Sequence, residues 1–367
     1  MKVAILHNTL NATGGAERLC VASIGALKDA GHTVTLVSFD KTDWSFAQEA
    51  FGDIVKPDHE KQLFKRKIPY FGIYQRALSC LSLWYKKSNY DFIFNTHGDM
   101  LPVPCDLTYM YFPTFLLGDS AKYQRNLFWK LYFKPYRWMQ KRLMDKYVKQ
   151  GKILTCSTYS QTVIRNIVGR ETEIVYPPVD IKRFSVHRHI PLNRRKDLVV
   201  TCARITPEKR LHLVPQLARM LPQVQFIIIG STSAVSKSVI KDIMKEAEGL
   251  DNFMLISEFS LQKLLSFYAE AKVYLHTMKN EHFGIAVAEA MASGLIPVVH
   301  KSGGAWFDIV GEGKYGFGWE TLEEAKRWIQ HIISEGCTDF YSPKVDLNKF
   351  SKETYKKRIV EIVEKYK

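Results

Sequence analysis

Two carboxylates eight residues apart, Glu281 and Glu289, and two cations five apart, Arg204 and Lys209, have types and spacing that suit chemistry. Arg204 and Lys209 fall on a strand-to-helix loop. Two cations there can converge on one diphosphate, and the N-terminus of the next helix adds amide donors. Glu281 lies in a loop and Glu289 in the helix after it. Val273–His276 reads as a buried strand, Thr277–Gly284 as a polar loop and Ile285–Ala292 as a helix that Gly294 ends. Ile296–His300 then gives another strand, Ser302-Gly303-Gly304 a tight turn, and a further helix follows. Strands alternating with helices predict a parallel sheet, whose ligand crevice lies at the carboxyl ends of its strands. Both polar loops fall at such ends.

The N-terminal half has the same rhythm. Val3–His7 predicts a strand, Asn8–Gly15 a loop with Gly14 and Gly15, Ala16–Ala30 a helix and Thr33–Ser38 a second strand. Glycines before a helix let the backbone approach an anion, although the loop lacks the G-x-G-x-x-G dinucleotide fingerprint. Asp91–Asn95 is a strand, and His97 and Asp99 just beyond it stand at a crevice lip. Strand Ile153–Ser157 and helix Tyr159–Ile167 lead to Tyr176-Pro177-Pro178-Val179-Asp180, an extended stiff segment that sets a domain boundary near 178. Residues 185–196 read as an exposed polar approach to the second domain. That domain opens with strand Leu198–Ala203, the Arg204–Arg210 loop and a helix to about Leu221. In it Gly230 follows strand Phe226–Ile229, and Glu258 follows strand Phe253–Ile256.

The string EHFGIAVAEAMASG, followed by SGG and DIV, resembles the signature of the retaining nucleotide-sugar-dependent glycosyltransferases of family 4. Within that family it is most similar to the GDP-mannose-dependent α-1,2-mannosyltransferases of dolichol-linked oligosaccharide assembly. YPPVD-x3-F resembles their interdomain linker, Arg204-x4-Lys209 their basic pair and Gly14-Gly15-Ala16-Glu17 their glycine loop. The resemblance implies an α/β GT-B fold: two Rossmann-like domains with parallel sheets facing across a cleft, and a C-terminal helix crossing back. Residues 1–178, with helix 352–367 packing back, would bind the acceptor, and 179–351 the nucleotide sugar. Arg204 and Lys209 would neutralise the diphosphate in place of a metal. Glu281 would hold the donor sugar, helped by N–H groups at Phe283 and Gly284, and Glu289 the ribose. Gly230 and Glu258 would border the nucleotide, His97 would touch the transferred sugar, and Gly14 and Gly15 would meet the donor diphosphate or the acceptor. Tyr109-x-Tyr111-Phe112-Pro113-Thr114 departs from the family's pattern in having Tyr111 where a histidine stands. The donor implied is GDP-mannose or alternatively a UDP-sugar. The acceptor implied is a lipid-linked (polyprenyl or dolichyl) or other glycan.

The chain's 367 residues suffice for two domains, and 46% hydrophobic with 24% charged residues is a globular profile. A net charge of +15 calls for an acidic partner or surface. Residues 120–152 hold ten Lys/Arg against Asp145, with eight interleaved aromatics near a helical period. Such a helix suits an anionic membrane surface; a solvated helix with its aromatics in a core is the plainer alternative. Nucleic acid is the weaker reading, because no helix-turn-helix, zinc or RNA motif accompanies the charge. A second basic run spans 56–90. Six scattered cysteines without C-x-x-C suggest free thiols in a reducing, cytoplasmic compartment. MKVAILHNTL reads as a first strand and not a leader, and no apolar run is long enough to span a bilayer. The expected location is therefore the cytoplasmic face of a membrane, peripherally bound. A dehydrogenase would need the missing fingerprint. An epimerase would need an acid/base set, and a non-catalytic membrane binder would leave the two charged pairs without purpose.

Overall fold

A computed structural model describes residues 1–63, 74, 89–100, 103–114, 127–143, 151–233, 235–335 and 346–366. Most of the basic run 56–90, residues 120–126 and 144–150 of the basic–aromatic stretch, and Cys80 and Cys337 lie outside the described residues. The chain divides into two units, Met1–Pro178 with Lys352–Lys367, and Val179–Ser351.

The first unit is built on a seven-stranded parallel sheet in the order β3-β2-β1-β4-β5-β6-β7. Its strands are β1 (Lys2–Leu6), β2 (Thr33–Ser38), β3 (His59–Gln62), β4 (Phe92–Asn95), β5 (Leu107–Tyr109), β6 (Lys152–Thr155) and β7 (Glu173–Ile174). β1 and β4 are apolar and buried along nearly their whole length, as a sheet covered on both faces requires. Helix α1 (Gly15–Asp29) buries Leu19, Cys20, Ile24 and Leu27. The C-terminal helix Lys352–Glu364 packs on α1, where Ser23 Oγ and Tyr355 Oη share a buried 2.7 Å hydrogen bond. Arg358 of the same helix bonds the Glu173 carboxylate.

The second unit holds a six-stranded parallel sheet in the order β10-β9-β8-β11-β12-β13. These are β8 (Lys196–Cys202), β9 (Gln225–Gly230), β10 (Phe253–Ser257), β11 (Ala271–His276), β12 (Ile296–His300) and β13 (Phe317–Trp319). Val199, Phe226, Ile228, Val273, Leu275 and Val298 form its core with the apolar faces of the covering helices. In both sheets the first strand sits inside, with its sequence neighbour on one side and a later strand on the other. The strand order therefore reverses between β1 and β4, and again between β8 and β11. Crevices at the carboxyl ends of such pairs are where open α/β sheets bind ligands.

The approach 185–196 is not wholly exposed. Arg195 is buried, and its guanidinium donates to the carbonyls of Ile190, Tyr268, Ala271, His187 and Ser293. Tyr268, Ala271 and Ser293 lie where two helices end, so the cation meets carbonyls carrying the negative ends of helix dipoles. The helix expected right after Arg210 also starts late. Pro207–Lys209 forms a 3₁₀ turn, Arg210 is left-handed at φ 51°, and the α-helix runs only over Leu213–Met220. Its N-terminal amides are thus three residues beyond the basic pair's loop. The segment after Gly304 is a single π-turn, Ala305–Ile309, and no α-helix.

Candidate active site

In the second unit the loops after β8, β11 and β12 meet at neighbouring strand ends. Tyr274 on β11 donates its hydroxyl to the Cys202 carbonyl at the end of β8 (2.9 Å). One step further, Thr277 donates to the Lys209 carbonyl (2.5 Å), which fixes the basic loop against the acidic one. Lys209 Nζ then pairs directly with Glu281 Oε2, both side chains being almost out of solvent. His276 Nε2, at the last residue of β11, stands 3.3 Å from the same oxygen. Burial works against a charge on Glu281. Lys209, His276 and His282 outweigh it and hold the carboxyl well below the usual carboxylate range. Burial pushes the His282 imidazole down, against the pull of Glu281.

The backbone of Glu281 is held as firmly as its side chain. Its carbonyl accepts from Gly304 N at 2.7 Å, and Ser302 Oγ accepts from Asn280 N at 2.8 Å. Gly303 has φ +75°, and a Cβ there would lie 2.3 Å from the Glu281 carbonyl oxygen. No other residue fits that position. The Ser302-Gly303-Gly304 turn is therefore the clamp that sets the Glu281 loop. Phe283 is buried against Phe350, and Gly284, left-handed at φ 102°, caps the helix Ile285–Ala292. Glu289 lies on that helix with 4% exposure, near Tyr268 and Tyr274. It is neither a surface carboxylate nor a cap.

Arg204 is exposed, close enough to His282 to act on its charge. Glu258 follows β10 in a left-handed conformation, φ 61°, and is exposed. Gly230 has a packing reason of its own: a Cβ there would meet the Ala203 carbonyl at 2.7 Å and Ile205 at 2.5 Å. The second unit thus brings Lys209 and Glu281 into contact and leaves Glu258 on a separate strand end. His276 was not singled out from the sequence. Its place as the last residue of a buried strand whose next loop carries Glu281 was the available signal.

The first unit gathers a second cluster at its own reversal of strand order. His7 follows β1 and is fully buried, and His97 follows β4 with its ring edge-on at 4.7 Å. The His97 amide donates to Asn95 Oδ1 (2.9 Å). Gly14 precedes α1 in extended backbone and Gly15 is its first residue. A Cβ on Gly14 would lie 2.3 Å from Glu17 Oε2. The chain's own carboxylate therefore stands beside the glycines read as an anion loop. Tyr111 donates to the Gly15 carbonyl (3.2 Å), so Tyr111 supports the loop. Among the described residues no cluster of three His, Cys, Asp or Glu side chains is placed to hold a metal ion.

Residues 183–336 match the family model described as glycosyl transferases group 1. A human protein named GDP-Man:Man(3)GlcNAc(2)-PP-Dol alpha-1,2-mannosyltransferase is 32% identical over 54% of this chain and 44% of its own length. Its namesake from Eremothecium gossypii is 23% identical over 83% of this chain and 60% of itself. The chain thus spans about half the length of the curated relatives it matches. The crystal structure of Anabaena HepE with UDP and glucose superposes with a TM-score of 0.73 at 18% identity, covering 99% of both chains. At that identity the likeness is one of fold. Residues 183–336, most of the second unit, are thus similar to the glycosyl transferases group 1, and the chain has the two-domain GT-B fold.

Proposed function

We propose that this chain is a retaining mannosyltransferase that moves mannose from GDP-mannose to a lipid-linked glycan. The observation that carries the reading is the Lys209–Glu281–His276 cluster at the strand-order reversal of a unit similar to the glycosyl transferases group 1. Without donor, Lys209 is neutralised by Glu281. An entering diphosphate competes for that ammonium and gains Arg204, already exposed beside it. Glu281, still held ionised by His276, is then free to accept hydrogen bonds from sugar hydroxyls. Charge leaving with the diphosphate is met by fixed cations, the electrostatic term that usually dominates such chemistry. Glu289 binds the ribose, and Gly230 and Glu258 border the base. Mannose and guanine rest on the names of the relatives; a UDP-sugar donor is the second reading, supported by the UDP-bound neighbour of like fold.

Helix α3 (Leu127–Leu143) supports membrane docking, counting α2 as Trp44–Phe51. Phe133 and Tyr136 are buried, whereas Leu131 and Trp138 are each 61% exposed. Those two are seven residues apart, hence on one face, together with Lys134 and Arg142; Arg142 stacks on Trp138 at 4.4 Å. No helix among the described residues is long and apolar enough to cross a membrane. Basic and apolar side chains sharing a face suit the headgroup region of an anionic bilayer.

The test is transfer itself. The purified chain is incubated with GDP-mannose and a pyrophosphoryl-lipid-linked mannosylated acceptor, and the new linkage is read by NMR. An α-mannosyl product is expected. Transfer from a UDP-sugar alone would replace the donor, and a β-linked product would remove retention.

A further inference from the structure

The cluster in the first unit contains a polar atom that the fold leaves unserved. Thr96 Oγ donates its one proton to the Leu6 carbonyl at 2.8 Å. Its 2.9 Å contact with His7 Nδ1 is therefore donated by the imidazole, which fixes Nδ1 as protonated. His7 Nε2 is buried without a hydrogen-bond partner and aims at Glu17 Oε1, 3.8 Å away and beyond hydrogen-bond length. Burial opposes a charge on His7, but Cys20 and Glu17 outweigh it and push the imidazole up to about 9. Glu17 keeps 11% of its side chain exposed, and neither of its oxygens is among the fully buried polar atoms that lack a partner. The first turn of α1, the loop pinned by Tyr111 and the His97 ring complete the surroundings.

We propose that Glu17 receives a hydroxyl of the acceptor glycan in the first unit, and that His7, held beneath it by Thr96, is the positioning residue that keeps its carboxylate aimed. This rests on the transferase reading and deepens it by assigning the acceptor's partner. The Glu17 carboxylate repels an anion, and no Lys or Arg pairs with it among the described residues. Its oxygens present only acceptor lone pairs, which select a neutral hydrogen-bond donor. A sugar hydroxyl is that donor. The alternative role for Glu17 is structural, because a carboxylate in a helix's first turn also complements the helix dipole. That role would not discriminate between substrates.

The experiment uses the full chain with GDP-mannose and a lipid-pyrophosphate-linked trimannosyl acceptor, measuring KM for each. Glu17→Gln should raise the acceptor KM about ten- to a hundredfold, the worth of a hydrogen bond to a charged group, with the GDP-mannose KM unchanged. His7→Gln should move the same constant in the same direction and add little in the double variant, since it acts through Glu17. If Glu17→Gln does not fold, Glu17→Asp, which keeps the charge but withdraws it by one methylene, should show the same selective rise. An unchanged acceptor KM, or equal losses in both constants, overturns the proposal while leaving the transferase reading intact. A wild-type chain that binds GDP-mannose and transfers nothing overturns both.

Discussion

At the scale of single residues, Glu281 makes the strongest demand. Lys209 is its main counter-charge in a nearly dry site, so Lys209→Ala should destabilise the second unit by about 3 kcal/mol, mostly through the carboxylate left behind. Lys209→Ala with Glu281→Gln should recover part of that loss, as thermal melting of the pair against the single variants would show. The sign of the pH dependence follows from the depressed pKa. The ion pair contributes fully above the unfolded carboxylate range. Its contribution fades as pH falls from there through the lower folded value. Melting from pH 7 to 3 should be steeper in the wild type than in Glu281→Gln, and parallel curves would refute the pairing. Gly303→Ala combines a positive φ with a Cβ inside the Glu281 backbone, and should cost about 2 kcal/mol or more. Arg195→Lys keeps the charge but cannot serve carbonyls of five residues, so the melting temperature should fall though nothing in the site is touched.

At the scale of elements, α3 offers the sharpest test. Leu131→Glu with Trp138→Ala should reduce binding to vesicles containing anionic lipid, since it removes the exposed apolar area and adds a charge that anionic headgroups repel. Sedimentation at low and high salt checks it, and binding equal to the wild type would leave the helix a merely solvated one. Elements with strong apolar runs were legible in the sequence: β1, β4, β9 and β11 were expected within a residue or two of where they lie. β3 was not, because His59–Gln62 is a polar edge strand whose pairing comes from β2 and not from its own residues. β5, β7 and β13 span three residues or fewer, too short for any period to appear. The delayed helix after Arg210 depends on a left-handed non-glycine residue, for which the sequence carries no mark. Among site residues, Glu281 and Lys209 were legible by type and position. Their direct contact, the His276 partner and the Glu17 carboxylate beside Gly14 arise from tertiary approach alone.

At the scale of the molecule, two parallel sheets each reverse strand order beside a buried histidine and a carboxylate, His7 with Glu17 and His276 with Glu281. The second constellation carries the cations that suit a donor's diphosphate, and the first does not. On this reading the second unit binds a nucleotide diphosphate through Arg204 and Lys209. This is tested by thermal melting of the purified chain with GDP, GDP-mannose, UDP, UDP-glucose, ADP and NAD. A ligand at about 100 times its Kd adds about 2.7 kcal/mol, a resolvable shift. GDP and GDP-mannose should raise the melting temperature and the others should not. Arg204→Ala, exposed and therefore harmless to the fold, should remove the shift. No shift with any nucleotide diphosphate, or a shift indifferent to Arg204→Ala, would contradict the account.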